Sequence, residues 1–232
     1  MKFLIVNADD FGASGAINRG ILEAHRRGIL TSTSLLVNRP GSEEAAKLGR
    51  DAPALSVGLH VDLRDNRGSV DEVLPRLREE LRAQFQRFQE LTGRAPTHMD
   101  SHHNVHRDPK ALPVFLQFAR QHDLPLREHS PARYFSKFYG RWGGETHLEQ
   151  VSVESLARML ETEMDEGITE LGCHPGYADP DYPGSYGVER EAELRTLCDP
   201  VIREVLAAQS IQLISYHDRN KLGAGLAKGV ML

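Results

Sequence analysis

The sequence predicts an α/β fold, specifically an irregular TIM-like (β/α) barrel with about seven parallel strands. Strand-like apolar runs alternate with helical segments along the 232-residue chain, and this alternation is typical of a parallel sheet. His, Asp or Arg side chains follow at least five of these runs, as they do where a barrel builds a site at its carboxyl-terminal rim. A doubly wound sheet also fits the alternation. Seven strands rather than eight favour an incompletely closed barrel.

The amino-terminal half contains the clearest elements. Residues 3–8 form a continuous apolar run, as expected for a strand buried on both faces. A helix is predicted over 16–27, because Ser14 is a suitable N-cap and Gly28 a suitable end. The other predicted elements are a β-branched strand over 31–37, a helix over 43–49 capped by Ser42, a strand over 55–60 and an amphipathic helix over 70–91.

The carboxyl-terminal half predicts shorter elements separated by two long loops. Loop 129–150 is rich in aromatic residues, and loop 176–187 carries several turn signals. Loops of this length in compact domains are often functional lids. The predicted elements are strands over 97–100, 124–127, 169–173 and 211–215, and helices over 109–121, 153–166 and 188–208, the last with a kink at Pro200.

Composition argues against several classes of protein. The formal net charge is −5 and no basic stripe is present, which argues against a nucleic-acid partner. No apolar run approaches 18 residues, so no membrane span is expected. With no linker or repeat, residues 1–232 are interpreted as a single domain whose tail after about residue 218 is frayed.

The two cysteines are too few for a disulfide framework in a chain of this length. A reduced, cytoplasmic location fits them best. Cys173 adjoins His174, which raises the question of nucleophilic catalysis. Neighbouring residues on a strand point to opposite faces, so we expect Cys173 to be a buried core residue.

Asp9 and Asp10 directly follow the first buried strand. One of them could form a turn or cap a helix, because Asp is common in both positions. That interpretation is weak for both, since two acids at a buried strand end repel each other unless a cation is present. Side chains alternate along a strand, so one carboxylate can bind a metal while the other acts as a general base.

Four histidines and an aspartate are concentrated in one short segment. The period-2 spacing places His98, Asp100 and His102 on one face of an extended chain. His98 and Asp100 lie deeper in the predicted strand, where structural roles are expected, whereas His102 lies at the rim, where a metal would bind. His103 and His106 are predicted to contact substrate or to be exposed to solvent.

His60 ends the third predicted strand. A lone histidine there is usually a hydrogen-bonded rim residue, and only partners make it a candidate ligand. Asp62 shares its face and could accept a hydrogen bond from it. A set of His and Asp without paired cysteines is not a structural zinc knuckle and indicates an open catalytic site. The chain contains neither a Gly-x-Ser-x-Gly elbow nor a P-loop.

His174 and Arg127 each follow a predicted strand. Pro175 biases His174 toward an extended conformation. We interpret His174 as a general acid or oxyanion partner, with a buried polar group satisfied by the backbone as the alternative. Arg127 either pairs with a carboxylate and sets its pKa, or forms a salt bridge at the rim.

Six short motifs, distributed over nearly the whole chain, form a recognisable set. They are Asn7-Ala8-Asp9-Asp10-Phe11-Gly12, residues 28–34, Gly58-Leu59-His60, residues 96–103, Cys173-His174-Pro175 and residues 214–218. Together they resemble the YdjC-like carbohydrate deacetylases, which include chitooligosaccharide deacetylases and hopanoid-biosynthesis-associated deacetylases. The resemblance implies an irregular TIM-like barrel, a divalent metal usually taken as magnesium, and hydrolysis of an N-acetyl group on an amino sugar.

Carried over residue by residue, the resemblance implies that Asp10, His60 and His102 bind the metal and that Asp9 is the general base. Magnesium prefers oxygen ligands, so two histidines suit Zn²⁺ or Mn²⁺ at least as well. We therefore expect one divalent ion, with Mg²⁺ favoured by the resemblance. The chain departs from the chitooligosaccharide enzymes after Leu63, where it is shorter, and this departure leaves the exact sugar open.

The aromatic loop is the predicted substrate contact. Sugar rings present apolar CH faces that pack on aromatic rings, and five aromatic residues lie within nine positions of this loop. Anchoring in the core could use two or three of them. We expect Trp142 first, and Tyr139, to bind the acetylated sugar together with His103 and His106. A homodimer is compatible with this fold.

Two other functions stay open at this point. A phosphoesterase on the same barrel would often use two metals about 3.5–4 Å apart, and Asp100, His103 and His106 could serve the second. A non-catalytic metal- or sugar-binding protein would not need an unligated acid beside the metal. The role of Asp9 therefore discriminates between catalysis and binding.

Overall fold

The computed structural model describes residues 1–63, 70–180 and 186–218. The tail predicted to fray and part of the predicted loop 176–187 therefore lie outside the described residues. Within these ranges seven strands form one sheet, and each of its pairings is parallel. The strands are β1 (Lys2–Phe11), β2 (Ser32–Leu35), β3 (Ser56–Val61), β4 (Met99–Ser101), β5 (Ala132–Phe135), β8 (Gly167–Cys173) and β9 (Ile211–Leu213); β6 (Arg141–Trp142) and β7 (Glu145–Thr146) form a separate antiparallel hairpin.

Strand β1 lies at the centre of the sheet. The order is β4-β3-β2-β1-β8-β5, and β9 pairs with residues 2–4 of β1. Strand β8 pairs with residues 2–8 of β1 along one edge, so β9 and β2 share the other edge of β1. Because the strands are parallel, their carboxyl ends lie together, and the sheet curls into a half-barrel. The predicted α/β fold with about seven parallel strands is confirmed.

The helices pack against the strands that adjoin them in the chain, α1 against β1, α2 against β2, α3 against β3 and α7 against β9. In the part of the chain that the structure describes, no helix is long and apolar enough to cross a membrane. The helices are α1 (Gly15–Arg27), α2 (Ser42–Asp51), α3 (Val70–Thr92), α4 (Leu112–Gln121), α5 (Val153–Thr162), α6 (Val188–Cys198) and α7 (Pro200–Ala208); 3₁₀ segments span His102–Arg107 and Leu148–Val151.

Alternation along β1 separates the core from the interior of the half-barrel. Leu4, Val6 and Ala8 belong to the main apolar core, whereas Ile5 packs in a second cluster with Tyr216. The period of two then places residues 7 and 9 on the same face as Ile5. This register directs polar side chains at the end of β1 into the mouth of the half-barrel.

The predicted strand over 124–127 is wrong in extent. Only Leu126 forms a bridge, to Met99 of β4, because Pro125 has no N–H to donate to a ladder. The strand of this region is instead β5, which lies inside the segment predicted as a loop. Ala132 and Phe135 of β5 are buried, but its four residues are too few to give a clear period in the sequence.

Several predicted helix boundaries also differ: the helix predicted over 109–121 begins at Leu112, and the one predicted over 153–166 ends at Thr162. The helix predicted over 188–208 is two helices, because the residue before a proline avoids the helical conformation and Asp199 is extended. The Asp199 side chain caps α7 by accepting from Val201 N at 2.9 Å. Helix α2 is preceded by Gly41, and Ser42 is its first residue, with its hydroxyl donating to Leu36 O. The predicted cap at Ser14 is confirmed, since its side chain accepts from Ile17 N.

The packing of α1 gives a stability prediction at Gly20. A Cβ there would lie 2.5 Å from the Gly176 Cα. Gly20→Ala should therefore lower the Tm, because overpacking costs about 1–3 kcal/mol and exceeds the gain of about 1 kcal/mol in helix propensity. Gly15→Ala in the same helix is the matched control, since its nearest neighbour is the flexible end of Glu44 at 3.1 Å. A Tm for Gly20→Ala at or above that of the wild type would contradict this packing.

Candidate active site

The carboxyl ends of β1, β3, β4 and β8 open into one cavity of about 740 Å³. Asp9 and Asp10 lie at the end of β1, His60 lies in β3, and His102 and His174 directly follow β4 and β8. The structure thus brings these five predicted residues together. The other described lining residues are Arg39, Pro40, Ser101, His103, Asn104, Tyr134, Ser136, Phe138, Tyr139, Gly172, Tyr186 and Arg190.

Asp9 is held by Arg127. Arg127 Nη1 donates to Asp9 Oδ2 at 2.8 Å and Nη2 donates to Oδ1 at 2.7 Å. Asn7 Nδ2 also donates to Oδ1, at 3.0 Å. Burial alone would raise the pKa of the Asp9 carboxyl, but the charge and hydrogen bonds of Arg127, together with the charge of His60, lower it. Asp9 is therefore ionised at neutral pH.

Arg127 is buried and contacts two further carboxylates. Its Nη2 lies 2.7 Å from Asp100 Oδ2, and its Nε donates to Glu170 Oε1 at 2.8 Å. Tyr216 donates to the other oxygen of Glu170 at 2.7 Å. Burial would lower the pKa of Arg127, but these acids raise it well above its usual value. Of the two interpretations left open by the sequence, the structure shows the pairing with carboxylates.

Asp10, His60 and His102 converge on one point. Asp10 Oδ1 lies 3.1 Å from His102 Nδ1 and 3.5 Å from His60 Nε2, and one ligand atom of each lies within 4.8 Å of the others. Asp10 Oδ2 accepts from Arg190 Nη2 at 2.5 Å. Asp10 Oδ1 is buried without a hydrogen-bond donor among the described residues. These three side chains can hold a metal ion.

Asp100 orients His60. His60 Nδ1 lies 2.7 Å from Asp100 Oδ1, so Nδ1 carries the proton and Nε2 is left facing Asp10. Burial would lower the pKa of His60, but Asp100 and Asp10 raise it to about 10. This part of the cavity therefore stabilises positive charge. The predicted acceptor Asp62 is wrong, since its Oδ2 lies instead 2.7 Å from Arg39 Nη2.

His98 has a structural role, as expected from its depth in the strand. Its Nε2 lies 3.0 Å from Asn7 Oδ1, and its ring stacks on Tyr216 with centroids 3.9 Å apart. Burial lowers the pKa of His98 to about 3, so the ring is neutral and can donate to the amide oxygen. His98 fixes Asn7, and Asn7 in turn donates to Asp9.

His174 lies beside Asp9. Its Nε2 is 3.9 Å from Asp9 Oδ2, and its buried Nδ1 has no partner among the described residues. Burial lowers the pKa of His174 to about 4, so the ring is neutral at pH 7. Cys173 is buried, and burial raises the pKa of its thiol, as expected for a core residue rather than a nucleophile.

Two of the four predicted substrate contacts reach the cavity. His103 and Tyr139 line it. The prediction for His106 needs correction, because its ring is completely buried and lies 2.6 Å from Ser101 Oγ. The prediction for Trp142 also needs correction. Trp142 is absent from the lining and stacks on His147, with centroids 3.7 Å apart, because the exposed hairpin carries it away.

His174 is held in place by a group that was not predicted from the sequence. Glu193 of α6 accepts from the backbone N of His174 and from the Tyr186 hydroxyl. The same hydroxyl accepts from Gly140 N at 2.9 Å. Burial raises the pKa of Glu193 to about 8. Tyr186 and Glu193 follow a loop without a period, so no sequence signal marks them. By contrast, Glu170 could have been identified from the sequence, because an acidic residue inside the apolar run of β8 is unusual.

Comparisons with known proteins agree with this architecture. A family 4 carbohydrate esterase from Streptomyces lividans, solved in complex with acetate, superposes with a TM-score of 0.60 at 13% identity, covering 94% of this chain and 95% of that one. At this identity the likeness shows the fold alone, and it agrees with the predicted TIM-like barrel.

Sequence comparisons identify the family. A carbohydrate deacetylase from Geobacillus stearothermophilus is 36% identical over 252 residues, covering 95% of this chain and 99% of the relative. A chitooligosaccharide deacetylase from Klebsiella pneumoniae is 36% identical over 255 residues, covering 94% and 99%. The family described as YdjC-like protein matches residues 3–208. The chain belongs to the YdjC-like family.

Proposed function

We propose that this protein is a metal-dependent hydrolase that removes the N-acetyl group from an amino sugar or from an oligosaccharide or glycoconjugate containing N-acetylglucosamine. One observation carries the proposal. Asp9 lies beside the candidate metal ligands, yet both of its oxygens are bound by Arg127. A ligand set next to a separate ionised carboxylate is what metal-assisted hydrolysis needs. The deacetylase relatives support the substrate class.

The donor set fits a single divalent cation. Three protein ligands that leave other positions open are typical of a catalytic metal site. Asp10 Oδ1 faces His102 Nδ1 and His60 Nε2, the two ring nitrogens that would share a cation with it. His60 is already oriented by Asp100. Two imidazoles and one carboxylate suit Zn²⁺ or Mn²⁺, whereas family resemblance favours Mg²⁺. When bound, the ion would polarise the amide carbonyl and acidify water.

Asp9 is the proposed general base. Its carboxylate is ionised, and Oδ2, which accepts one hydrogen bond from Arg127, keeps a lone pair for a further donor. Asp9 would remove a proton from the water that attacks the amide carbon. Arg127 holds the carboxylate in place, so little reorganisation accompanies the transfer. The water oxygen then bonds to the acetyl carbon.

His174 is the proposed carrier of that proton to the leaving amine. A neutral imidazole cannot donate as an imidazolium until it receives a proton. Protonated Asp9 is a suitable source, because its Oδ2 lies 3.9 Å from His174 Nε2. The proton taken from water thus reaches the amine nitrogen as the C–N bond breaks. The products are acetate and a free amino sugar.

The geometry disfavours the two alternatives. In a two-metal phosphoesterase, Asp100 and His106 would serve a second ion, but they bind His60 and Ser101 instead. Asp9, His60 and Asp100 also form a candidate ligand set, yet a cation there would lie beside the Arg127 guanidinium. A non-catalytic metal- or sugar-binding protein would not need an ionised carboxylate such as Asp9 beside the metal ligands. The cytoplasmic location and the homodimer stay predictions.

An acetate-release screen tests the proposed function. Purified protein with added Mg²⁺, Mn²⁺ or Zn²⁺ should release acetate from at least one N-acetylated mono- or oligosaccharide. A parallel screen with sugar phosphates and phosphodiesters tests the phosphoesterase alternative. Hydrolysis of a phosphate monoester or diester with no acetate released from any N-acetyl sugar would reject the deacetylase.

The metal assignment predicts a joint loss of metal and activity. Asp10→Ala, His60→Ala and His102→Ala should each lower both the bound metal per chain, measured by inductively coupled plasma mass spectrometry, and the rate of acetate release. His103→Ala is the control for metal content, since His103 lines the cavity outside this set. Retention of the full metal content by all three variants would show that the ion binds elsewhere.

The role of Asp9 predicts a different phenotype. Asp9→Asn should keep the metal but lower kcat on the order of 100-fold or more, because an amide cannot accept the water proton. Because the substitution removes one charged partner of the buried Arg127, a melting curve is needed to show that the variant is folded. Near-wild-type kcat in the folded variant would make Asp9 structural.

Tyr139 and Trp142 both lie in the aromatic loop 129–150, and substituting each in turn tests which of them contacts the sugar. The Tyr139 and Tyr186 rings stack in the cavity wall with centroids 4.9 Å apart. Tyr139→Ala should raise the KM for N-acetylated sugars about fivefold, since a sugar–aromatic contact contributes around 1 kcal/mol. Trp142→Ala removes a larger ring from outside the cavity and should change KM much less. The reverse order would restore Trp142 as the sugar contact.

A further inference from the structure

Tyr134 presents an unused hydroxyl to the cavity. It lies on β5 and lines the same cavity as Asp9, Asp10 and His174. Its ring contacts two arginine side chains, but none of the described residues forms a hydrogen bond with its hydroxyl. Asp9, in the same cavity, has both carboxylate oxygens hydrogen-bonded to Arg127. An unpaired phenol at this depth is available to a bound substrate.

The position of this hydroxyl is fixed from two sides. The Arg127 guanidinium carbon lies 4.6 Å from the centroid of the Tyr134 ring, a cation–π contact that orients the ring. On the neighbouring strand β8, a Cβ on Gly172 would lie 2.5 Å from the Tyr134 hydroxyl oxygen. Glycine at 172 therefore leaves the space that the hydroxyl occupies. Both constraints place the hydroxyl without a hydrogen bond of its own.

Arg127 and Gly172, the two neighbours of Tyr134, also place it close to the proposed proton-transfer groups. The Arg127 guanidinium that packs on the Tyr134 ring also binds Asp9. Gly172 pairs with Asn7, two residues before Asp9, and precedes His174 by two residues. Burial, together with Asp9 and Glu170, raises the pKa of the Tyr134 phenol. The phenol therefore keeps its proton and is a neutral donor.

We infer that Tyr134 is a catalytic residue whose hydroxyl donates a hydrogen bond to the carbonyl oxygen of the N-acetyl group as that oxygen gains negative charge. This inference rests on the proposed function. The Tyr134 O–H bond does not break, and the proton transfers stay with Asp9 and His174. A fixed donor that forms no hydrogen bond with the described residues stabilises the developing charge of the transition state more than the neutral amide.

Tyr134→Phe tests this role, because phenylalanine keeps the ring, its packing on Gly172 and the contact with Arg127. Loss of one oxyanion donor typically lowers kcat by about 100- to 1,000-fold. Since a bound metal would also polarise the carbonyl, we expect kcat to fall at least tenfold at a nearly unchanged KM. Metal content and Tm should match those of the wild type. Tyr177→Phe, which removes a phenol hydroxyl bonded to Glu23 outside this cavity, is the control.

The outcomes separate this inference from the proposed function. An active wild type with a Tyr134→Phe kcat within twofold of it would reject the role of Tyr134 alone. A raised KM at unchanged kcat would also reject it, because the hydroxyl would then bind the sugar equally in the ground and transition states. If the wild type releases no acetate from any N-acetyl sugar, the proposed function fails and this inference fails with it.

Discussion

The buried Arg127 guanidinium is the interaction on which the rest of the site depends. It contacts Asp9, Asp100 and Glu170 at 2.7–2.8 Å. Three carboxylates this close would repel one another strongly in a buried site, and removing one partner of a buried ion pair is strongly destabilising. Arg127 makes the cluster compatible with the folded state. Through Asp100 it also fixes His60, because Asp100 accepts the His60 Nδ1 proton.

The guanidinium also separates the roles of two adjacent acids. Asp9 is directed into the half-barrel toward Arg127, whereas Asp10 turns toward His60, His102 and Arg190. The backbone of Asp10 has a φ of 69°, a left-handed conformation that Asp tolerates better than most residues. Each carboxylate thus has its own cation. Asp9 has Arg127, while one oxygen of Asp10 binds Arg190 and the other is left for a metal.

The sequence predicted those parts of the site that follow from strand periodicity. Asp9, Asp10, His60 and His102 occupy strand ends, where parallel strands must converge, and the structure brings them together. Tyr186 and Glu193 follow a long loop, and only tertiary packing brings them to His174. His106 looked equivalent to His103, but the kink at His103 and Asn104, both with positive φ, turns His106 into the core.

The fold was predicted to a similar extent and for similar reasons. Long apolar runs such as β1 gave correct strands, because burial on both faces leaves a strong signal. The predicted bounds were wrong where a single proline interrupts a strand or a helix. Pro125 limits its segment to one bridge, and Pro200 divides one predicted helix into two. Strand β5, which carries Tyr134, has only four residues and was hidden in an aromatic loop.

Anomalous X-ray diffraction from crystals soaked in Mn²⁺ tests most directly whether the two adjacent aspartates have separate roles. We expect one anomalous peak per chain, coordinated by Asp10, His60 and His102. Asp9 should stay bound to Arg127 and outside the coordination sphere. A peak coordinated by Asp9, or lying between Asp9, His60 and Asp100, would contradict the separation of base from ligand on which the proposed chemistry depends.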